Sequence, residues 1–433
     1  MWLVLGLALV AFAVAGAVAA TNSGHDRTAT QSPRPRQAAW PAGTVAGLGG
    51  GAWCWFQDPR AVEVGGHLGR TYAGWIAQNG DIKVGSFDPL LGRTRSHVVG
   101  HWIHDDHASP VLLVEPSRRL TVFWAVHNGQ TVNYRTTVRP LDIGSWGPVR
   151  RLRARLPGIL GITYPNPVPV PAERDRLYMF WRGPDWGTDY LIRTSSGRWS
   201  PAHELILPAP GERPYLKVAG NGYDRIGLAF NDIHPGQSTS SVYYAAVRDG
   251  ALWTAGGRRI AGLGSAPIHP SDGDLVYDGH ATGVPSWVWD VAFDPRQHPV
   301  IVYATFPSIH DHVYWYARFD GHRWVSHLLT HAGGSISPTT PEFYYSGGLA
   351  LNHSDPSVVF LSRRVGRWFR LERWTTPDQG RTWHHVEVTH SAGDQVRPVV
   401  PRGSGGGPIS VMWMAGHYGA YIHYNTSIKF MTR

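Results

Sequence analysis

The feature that most constrains this fold is a long series of short strand-like runs separated by turn residues. From Gly50 onward, β-branched and aromatic runs recur, with Gly, Asp, Asn and Pro between them. Typical runs are Arg70–Ile76, Leu120–Val126, Val313–Phe319 and Phe369–Trp374. No convincing amphipathic helix interrupts them, and the 51 Gly and 33 Pro suit tight turns better than long helices. These observations predict an all-β protein.

A tryptophan phrase closes several of the predicted hairpins. A turn glycine followed within a few residues by Trp recurs, and the phrases end at Trp199, Trp253, Trp324 and Trp383. They lie about 50 to 70 residues apart, which is the period of a four-stranded propeller blade. A length of about 385 residues at this period corresponds to roughly seven blades. The sequence therefore predicts a seven-bladed β-propeller of four-stranded antiparallel blades over residues 46–433.

The last of these phrases, Thr375–Trp383, resembles an Asp-box. In such a turn we expect Asp378 to hold the hairpin and Trp383 to pack between two blades. The phrase is structural and carries no catalytic meaning.

The N-terminal part of the chain differs from the rest. Residues 2–20 form an uncharged apolar run, and Ala17-Val18-Ala19 offers a small-residue cleavage site, so a signal peptide over residues 1–20 is the leading interpretation. The run is also about long enough to span a bilayer, so an uncut membrane anchor is the alternative. Residues 21–45 are rich in Ser, Thr, Gln, Pro, Gly and Arg and are predicted to be a disordered linker. We therefore expect a secreted protein, or one attached to the cell surface through residues 2–20.

Charge and composition narrow the class of partner. The formal net charge is +9 with His neutral, but the basic residues are scattered and no recognition-helix motif is present, which argues against nucleic acid. An acidic polysaccharide or oligosaccharide fits better, because the 20 Trp and 18 Tyr provide sugar-stacking faces. Cys54 is the only cysteine, so the chain has no internal disulfide and no Cys-rich metal site. We expect a monomer that requires no cofactor; a structural metal ion has no clear ligand set.

Two histidines stand at matching points of consecutive predicted hairpins. His107 lies in Asp105–Pro110, and His127 follows the run Leu120–Val126. Such positions would bring the two side chains together at one end of a sheet, and the Asp-Asp-His phrase gives His107 a carboxylate neighbour that can orient it. Because an imidazole pair can move a proton near neutral pH, an enzyme is the first hypothesis.

Seven phrases in chain order make the sequence resemble the BNR-repeat-containing family of exported propellers. They are Trp53–Arg60, Asp105–His107, Arg213–Lys217, Phe230–Pro235, Trp287–Asp290, Tyr345–Gly348 and Val396–Gly403. Characterised relatives are similar to ulvan lyases and to enzymes that cut rhamnose–glucuronate linkages, and they are seven-bladed propellers. The set of phrases is specific for the family but not for one activity.

The resemblance implies a lyase centre of two His, a Tyr and an Arg at one end of the propeller channel. The residues in the expected order are His107, His127, Tyr164 and Arg182. Further residues expected to bind substrate at the channel mouth are Tyr215, His234 and Arg213. Some relatives are instead rhamnosidases that use one His on the opposite face.

A glycuronan lyase removes the C5 proton of a uronic acid and expels the substituent on O4. Arg182 suits the substrate carboxylate, because a guanidinium grips it with two parallel hydrogen bonds. His107 is the expected base, and His127 would be a second donor. Tyr164 would protonate the leaving oxygen, or the two roles would exchange with the epimer at C5.

Two other functions stay open at this point. A glycoside hydrolase of the same fold would usually need two carboxyls across a cleft, and no such pair can be placed, since Asp105 and Asp106 are adjacent and face opposite sides if extended. A sialidase is disfavoured, because one Asp-box-like turn is found rather than several. A non-catalytic glycan-binding propeller is the third hypothesis, since one fold hosts many functions.

Overall fold

The computed structural model describes residues 40–152, 161–265, 267–338, 342–403 and 405–433, and these are mostly β-strand. The strands of the first half are β1 (Val45–Gly50), β2 (Ala61–Val64), β3 (Arg70–Ile76), β4 (Asp81–Asp88), β5 (Arg93–His101), β6 (Val111–Val114), β7 (Leu120–Trp124), β8 (Val132–Thr136), β9 (Arg150–Leu152), β10 (Thr163–Val170), β11 (Arg176–Arg182), β12 (Thr188–Arg193) and β13 (His203–Ile206). Those of the second half are β14 (Leu216–Gly220), β15 (Ile226–Asn231), β16 (Val242–Arg248), β17 (Ala251–Trp253), β18 (Arg259–Gly262), β19 (Asp274–Tyr277), β20 (Ser286–Phe293), β21 (Pro299–Ser308), β22 (Asp311–Phe319), β23 (Trp324–Gly333), β24 (Leu349–Leu351), β25 (Val358–Val365), β26 (Trp368–Thr375), β27 (His384–Glu387), β28 (Gln395–Val399), β29 (Ile409–Ala420) and β30 (His423–Thr432).

Helical structure is minor. One short α-helix, α1 (Gly279–Thr282), precedes β20. The 3₁₀ turns span Gly66–Leu68, Asp106–Ala108, Pro171–Glu173, Pro184–Trp186, Leu263–Ser265 and Pro270–Asp272. Among the described residues, no helix has the length and apolar character needed to span a membrane.

The strands form seven antiparallel sheets, so the predicted seven-bladed propeller is confirmed. Six blades are built from consecutive strands: β2–β5, β6–β9, β10–β13, β14–β19, β20–β23 and β24–β27. The seventh blade joins β28, β29 and β30 to β1 from the other end of the chain, in the order β1-β30-β29-β28. Pairing of Val45 with Met431 and of Gly50 with Ser427 therefore closes the ring with backbone hydrogen bonds.

The fourth blade is wider than predicted, because its sheet has six strands whereas the other sheets have four. The third strand, β16, pairs with β17 near Arg248 and with β19 near Val242, so two short strands share the place of one outer strand. The strand β18 then adds outside β17.

The residues just before β1 pack on the propeller. The Trp40 ring lies 5.4 Å from that of Phe87 and 6.1 Å from that of Phe430, and the Thr44 backbone N–H donates to Thr432 Oγ1 at 2.9 Å. The packed part therefore includes residues 40–45, which the sequence assigned to the end of the linker. The predicted signal peptide or anchor and residues 21–39 of the linker lie outside the described residues.

The blade topology sorts the loops between two faces. The innermost strand of each blade starts at one face, and the second strand returns to it. We call this the upper face; it holds loops such as 102–110, 125–131 and 232–241. The turns that join first to second and third to fourth strands, such as 65–69, 115–119 and 221–225, form the lower face.

Side chains fill the centre of the ring. Trp55 stacks on Trp289 with ring centroids 4.8 Å apart and meets Trp287 edge-on at 5.0 Å. Below this aromatic layer the buried Lys217 ammonium contacts the Asp58 carboxylate and the Trp55 carbonyl oxygen. A cavity at the upper face consequently has a closed floor.

Candidate active site

The topology explains why residues distant in sequence meet at the upper face. His107 precedes the innermost strand β6, and Tyr164 is the second residue of the innermost strand β10. His127 follows the second strand β7, and Arg182 ends the second strand β11. Starts of first strands and ends of second strands share this face, so all four side chains line one cavity of about 170 Å³. The same cavity contains the three predicted substrate-binding residues, Tyr215, His234 and Arg213.

The two histidines are stacked and share one carboxylate. Their rings are parallel within 3°, with centroids 3.8 Å apart. The Asp105 carboxylate lies 2.6 Å from His107 Nδ1 and 3.4 Å from His127 Nδ1. Asp105 is itself fixed, because its carboxylate accepts the His107 backbone N–H at 3.0 Å at the start of a 3₁₀ turn. A carboxylate at Nδ1 keeps a proton there, which leaves Nε2 as the basic nitrogen.

Burial and hydrogen bonding set the charge states of Asp105 and His127. Burial acts to raise the pKa of Asp105, but hydrogen bonds from His107 and then His127 outweigh it and hold that pKa well below its usual range. Asp105 is therefore ionised. Burial lowers the pKa of His127, and the bond to Asp105 opposes that shift only in part. His127 is thus uncharged at neutral pH.

The neighbouring Asp106 faces away from the cavity into the core. Its carboxylate accepts Arg397 Nη1 at 3.0 Å and the Tyr418 hydroxyl at 2.5 Å. The Arg397 guanidinium is held over the rings of Tyr418, at 3.9 Å, and Trp55, at 4.4 Å. The two adjacent carboxylates therefore point to different sides: Asp105 orients the histidines, and Asp106 anchors their loop.

Arg182 is a buried cation without a carboxylate partner among the described residues. Its side chain makes only long hydrogen bonds, to the Tyr215 hydroxyl at 3.3 Å, Thr163 Oγ1 at 3.4 Å and Asn128 Oδ1 at 3.5 Å. The guanidinium carbon also lies 4.7 Å from the centroids of the Tyr164 and Trp186 rings. Because a buried charge is costly unless it is paired, this arrangement attracts an anion.

Tyr164 lies between the histidines and Arg182. Its ring is 5.2 Å from that of His107, and its backbone has a φ of 61°, which is uncommon for a bulky residue. Burial raises the pKa of the Tyr164 hydroxyl well above 10, and the Arg182 charge offsets this only in part. The hydroxyl is therefore protonated at neutral pH and suits a proton donor better than a base.

The far side of the cavity has a different character. Burial, and then the charges of Arg213 and Arg182, lower the pKa of His234 to about 3, so this imidazole is neutral. Its Nδ1 accepts the Gly236 backbone N–H at 2.9 Å, and its Nε2 lies 3.9 Å from Glu342 Oε2. Burial raises the pKa of Glu342, and Arg213 opposes that shift. This side of the cavity therefore presents both hydrogen-bond donors and hydrogen-bond acceptors to a ligand.

Besides Asn128, which follows His127 directly, three lining residues escaped sequence analysis: Trp186, Glu342 and Tyr421. The Trp186 ring lies 4.7 Å from the Arg182 guanidinium and 5.4 Å from that of Arg213. The edge of Tyr421 meets the His107 and His127 rings at 4.8 and 5.6 Å. All three lie in connecting loops, where no strand pattern points to them.

One group in the described part of the chain brings three metal-ligating side chains together. The ligand atoms of Asp105, His107 and His127 all lie within 4.8 Å of one another. Both Nδ1 atoms already face the Asp105 carboxylate, as in hydrogen-bonded imidazoles. The geometry therefore suits proton transfer at Nε2.

Solved structures with a similar fold act on glycans. A polysaccharide lyase of family PL25, an ulvan lyase bound to -[GlcA(1-4)Rha3S]-, has a TM-score of 0.68 at 13% identity, and the alignment covers 91% of this chain and 96% of that one. The polysaccharide lyase Uly1 has a TM-score of 0.52 at 10% identity, covering 93% and 94%. An α-L-arabinofuranosidase from Fusarium graminearum reaches 0.44 at 11% identity, covering 74% and 91%. The likeness to the two lyases shows the fold.

The sequence itself identifies the family. No curated protein sequence matches the chain. The profile of a BNR repeat-containing family matches residues 70–332, which is more than half of the 433 residues and includes all the predicted catalytic and substrate-binding positions. The chain therefore belongs to the BNR repeat-containing family.

Proposed function

We propose that this protein is a polysaccharide lyase that cleaves a uronic-acid-containing glycan of the rhamnose–glucuronate type by β-elimination. The observation that carries the proposal is the buried Arg182 guanidinium, which has no carboxylate partner among the described residues and lies beside two imidazoles oriented by Asp105. The cavity thus offers a cationic position for a substrate carboxylate next to a base. The PL25 ulvan lyase with its bound glucuronate–rhamnose ligand supports this class of substrate.

In the proposed reaction, Arg182 binds the uronate carboxylate and withdraws charge from C5. His107 Nε2 removes the C5 proton, while Asp105 stabilises the imidazolium that forms. His127 stacks on His107 and, with its Nδ1 facing Asp105, helps to keep that carboxylate ionised beside the imidazolium. Tyr164 protonates the departing O4 oxygen, so the glycosidic C4–O bond breaks and a C4–C5 double bond forms. With the opposite epimer at C5, Tyr164 and His107 would exchange roles.

The cavity fits a hydrolase less well. Glu342 is the one acidic side chain among the described residues that line it, whereas hydrolysis of the usual kind needs two carboxyls. Both oxygens of the nearby Asp105 face imidazole nitrogens. We therefore keep hydrolysis, and glycan binding without catalysis, as outcomes of the experiment rather than as equal proposals.

The test is an ultraviolet assay with a panel of uronate polysaccharides. A lyase generates the absorbance of a 4,5-unsaturated uronate, and H107A should abolish it while the protein still binds the glycan. Release of reducing ends without that absorbance would replace the proposal by hydrolysis. Binding without either product would make the protein a lectin.

A further inference from the structure

The lower face carries an unusual concentration of arginine. Turns of five of the seven blades contribute at least one exposed arginine on this side. The exposed residues in or next to these turns are Arg70, Arg93, Arg118, Arg119, Arg139, Arg174, Arg176, Arg198, Arg296, Arg323 and Arg381. The exposed acidic residues of the same turns are Asp175, Asp249, Asp320 and Asp355. Among the fully exposed residues named here, arginines therefore outnumber carboxylates by eleven to four on the side opposite to the candidate active site.

Many of these charges are not neutralised locally. Arg70, Arg139 and Arg176 pair with Asp88, Asp142 and Glu173. Within the described residues, the other eight arginines of the set form no ion pair. Unlike the histidines, these guanidinium groups stay charged at every physiological pH.

Exposed apolar residues stand at the tips of the same turns. Leu68 is 60% exposed, Leu90 57%, Val138 59% and Tyr223 66%. Upper loops also expose large apolar residues, such as Ile103 at 62%, so what distinguishes these four is that they stand among the arginines. Apolar tips among cationic side chains are the composition of surfaces that lie in the headgroup region of a bilayer.

The chain also enters the propeller on this side. The start of β1 at Val45 pairs with Met431 near the lower end of β30. Just before it, Trp40 lies against Gly92 in the turn that carries Leu90. The 19 residues of 21–39 join this point to the apolar run 2–20 and span at most about 65 Å when extended.

We propose that the lower face of the propeller lies on an anionic lipid bilayer, with the candidate active site turned away from it. The arginines would bind lipid phosphates and the apolar tips would enter the headgroup region. In the uncut form, in which residues 2–20 are the anchor, that segment would hold the protein near the surface. The proposal goes beyond the glycan chemistry and does not depend on it.

Fluorophore labels on each face test the orientation. Full-length S117C carries a label in the lower turn 115–119, and S391C carries one in the upper loop between β27 and β28. Cys54 should remain unlabelled, because it is buried and burial raises its pKa to about 12. The proteins are bound to vesicles of equal parts phosphatidylglycerol and phosphatidylcholine that contain brominated lipid. We expect quenching of the S117C label and not of the S391C label. Equal quenching, or the same result on phosphatidylcholine alone, overturns the proposal.

Paired charge variants test the cause. R118Q/R119Q removes two exposed arginines from one lower turn, and R364Q/R367Q removes two from the upper turn between β25 and β26. We expect the lower pair to reduce quenching of the S117C label, with docking weakened about tenfold, and the upper pair to leave it unchanged. If both pairs act alike, the arginine face is not the docking surface. If a soluble polyuronate shields the S117C label and vesicles do not quench it, the face binds an acidic polymer and the bilayer is excluded.

Discussion

Replacing Arg182 by Met should make the protein more stable and nearly inactive. The Arg182 side chain is only 7% exposed and has no carboxylate partner in the described part of the chain. Sites that are arranged for a ligand often reduce the stability of the free protein, and removing their strained or unpaired groups then restores it. A gain in stability together with a loss of activity would indicate that Arg182 binds substrate. A loss of stability would indicate that it supports the fold.

The size of the stability effect follows from the contacts. An unpaired cation at this depth costs several kcal/mol of desolvation. The two ring contacts at 4.7 Å stabilise the guanidinium by about 1 kcal/mol each, and the three hydrogen bonds of 3.3 to 3.5 Å by about 0.5 kcal/mol each. Met packs well among aromatic rings, so R182M should gain about 1 kcal/mol. Loss of the carboxylate clamp should lower kcat/KM about 10³-fold, and R182K, which keeps the charge but not the paired donors, about 10²-fold.

Urea unfolding followed by tryptophan fluorescence and the ultraviolet lyase assay measure the two effects. Arg193 is the matched control: it lies in the same blade, pairs with Glu115 at 2.6 Å and covers Trp199 at 5.6 Å, but does not line the cavity. R193M should lose stability and keep kcat/KM. If R182M instead loses more than about 1 kcal/mol, its ring and hydroxyl contacts support the fold, and the argument for an anion site fails.

Three further outcomes are expected. In D105N, kcat/KM should fall about 10²-fold, because an amide stabilises the His107 imidazolium less than the carboxylate does; a kcat/KM equal to that of the wild type would contradict this. In D189N, the free energy of unfolding should rise by about 2 kcal/mol, because burial and then Glu204 raise the pKa of Asp189 to about 8 and its ionisation favours the unfolded chain. The gain should therefore grow between about pH 4 and pH 8. A gain in urea unfolding that does not depend on pH would refute this. W383A should lower the free energy of unfolding by about 3 kcal/mol with kcat unchanged, and a selective loss of kcat would exclude a structural role.

The fold was predictable because local signals repeat. The Asp-box shows how: the Asp378 carboxylate accepts the Thr382 backbone N–H at 2.8 Å and so closes the hairpin. Trp383 of the sixth blade meets Tyr316 of the fifth edge-on at 5.2 Å. One turn phrase thus sets both the hairpin and the contact between blades. The six-stranded fourth blade was not predictable, since β17, β18 and β19 are three- and four-residue strands with no clear alternation.

The cavity was predictable only where a residue has a position relative to a strand. His107 and His127 flank predicted strands, so hairpin topology alone indicated that they meet. Glu342 and Tyr421 lie more than 200 residues further along the chain, and ring closure brings them to the same cavity. Trp186 depends on a turn with positive φ at Asp185 and Trp186, which no pattern in the sequence marks.

A count of charges around the cavity explains why elimination suits it better than binding alone. Before reaction, the formal charges of the cavity and the adjacent Asp105 sum to zero, although Arg182 has no paired carboxylate: Arg182 and Arg213 are cationic, and Glu342 and Asp105 are acidic. A bound uronate adds one negative charge. Removal of its C5 proton moves a second negative charge onto the substrate and creates a positive imidazolium that Asp105 already faces at 2.6 Å. The dianion then lies between two cations, of which one exists only after the proton has moved. That attraction is stronger in the transition state than in the bound substrate, which is the condition for a catalyst and is of no use to a lectin.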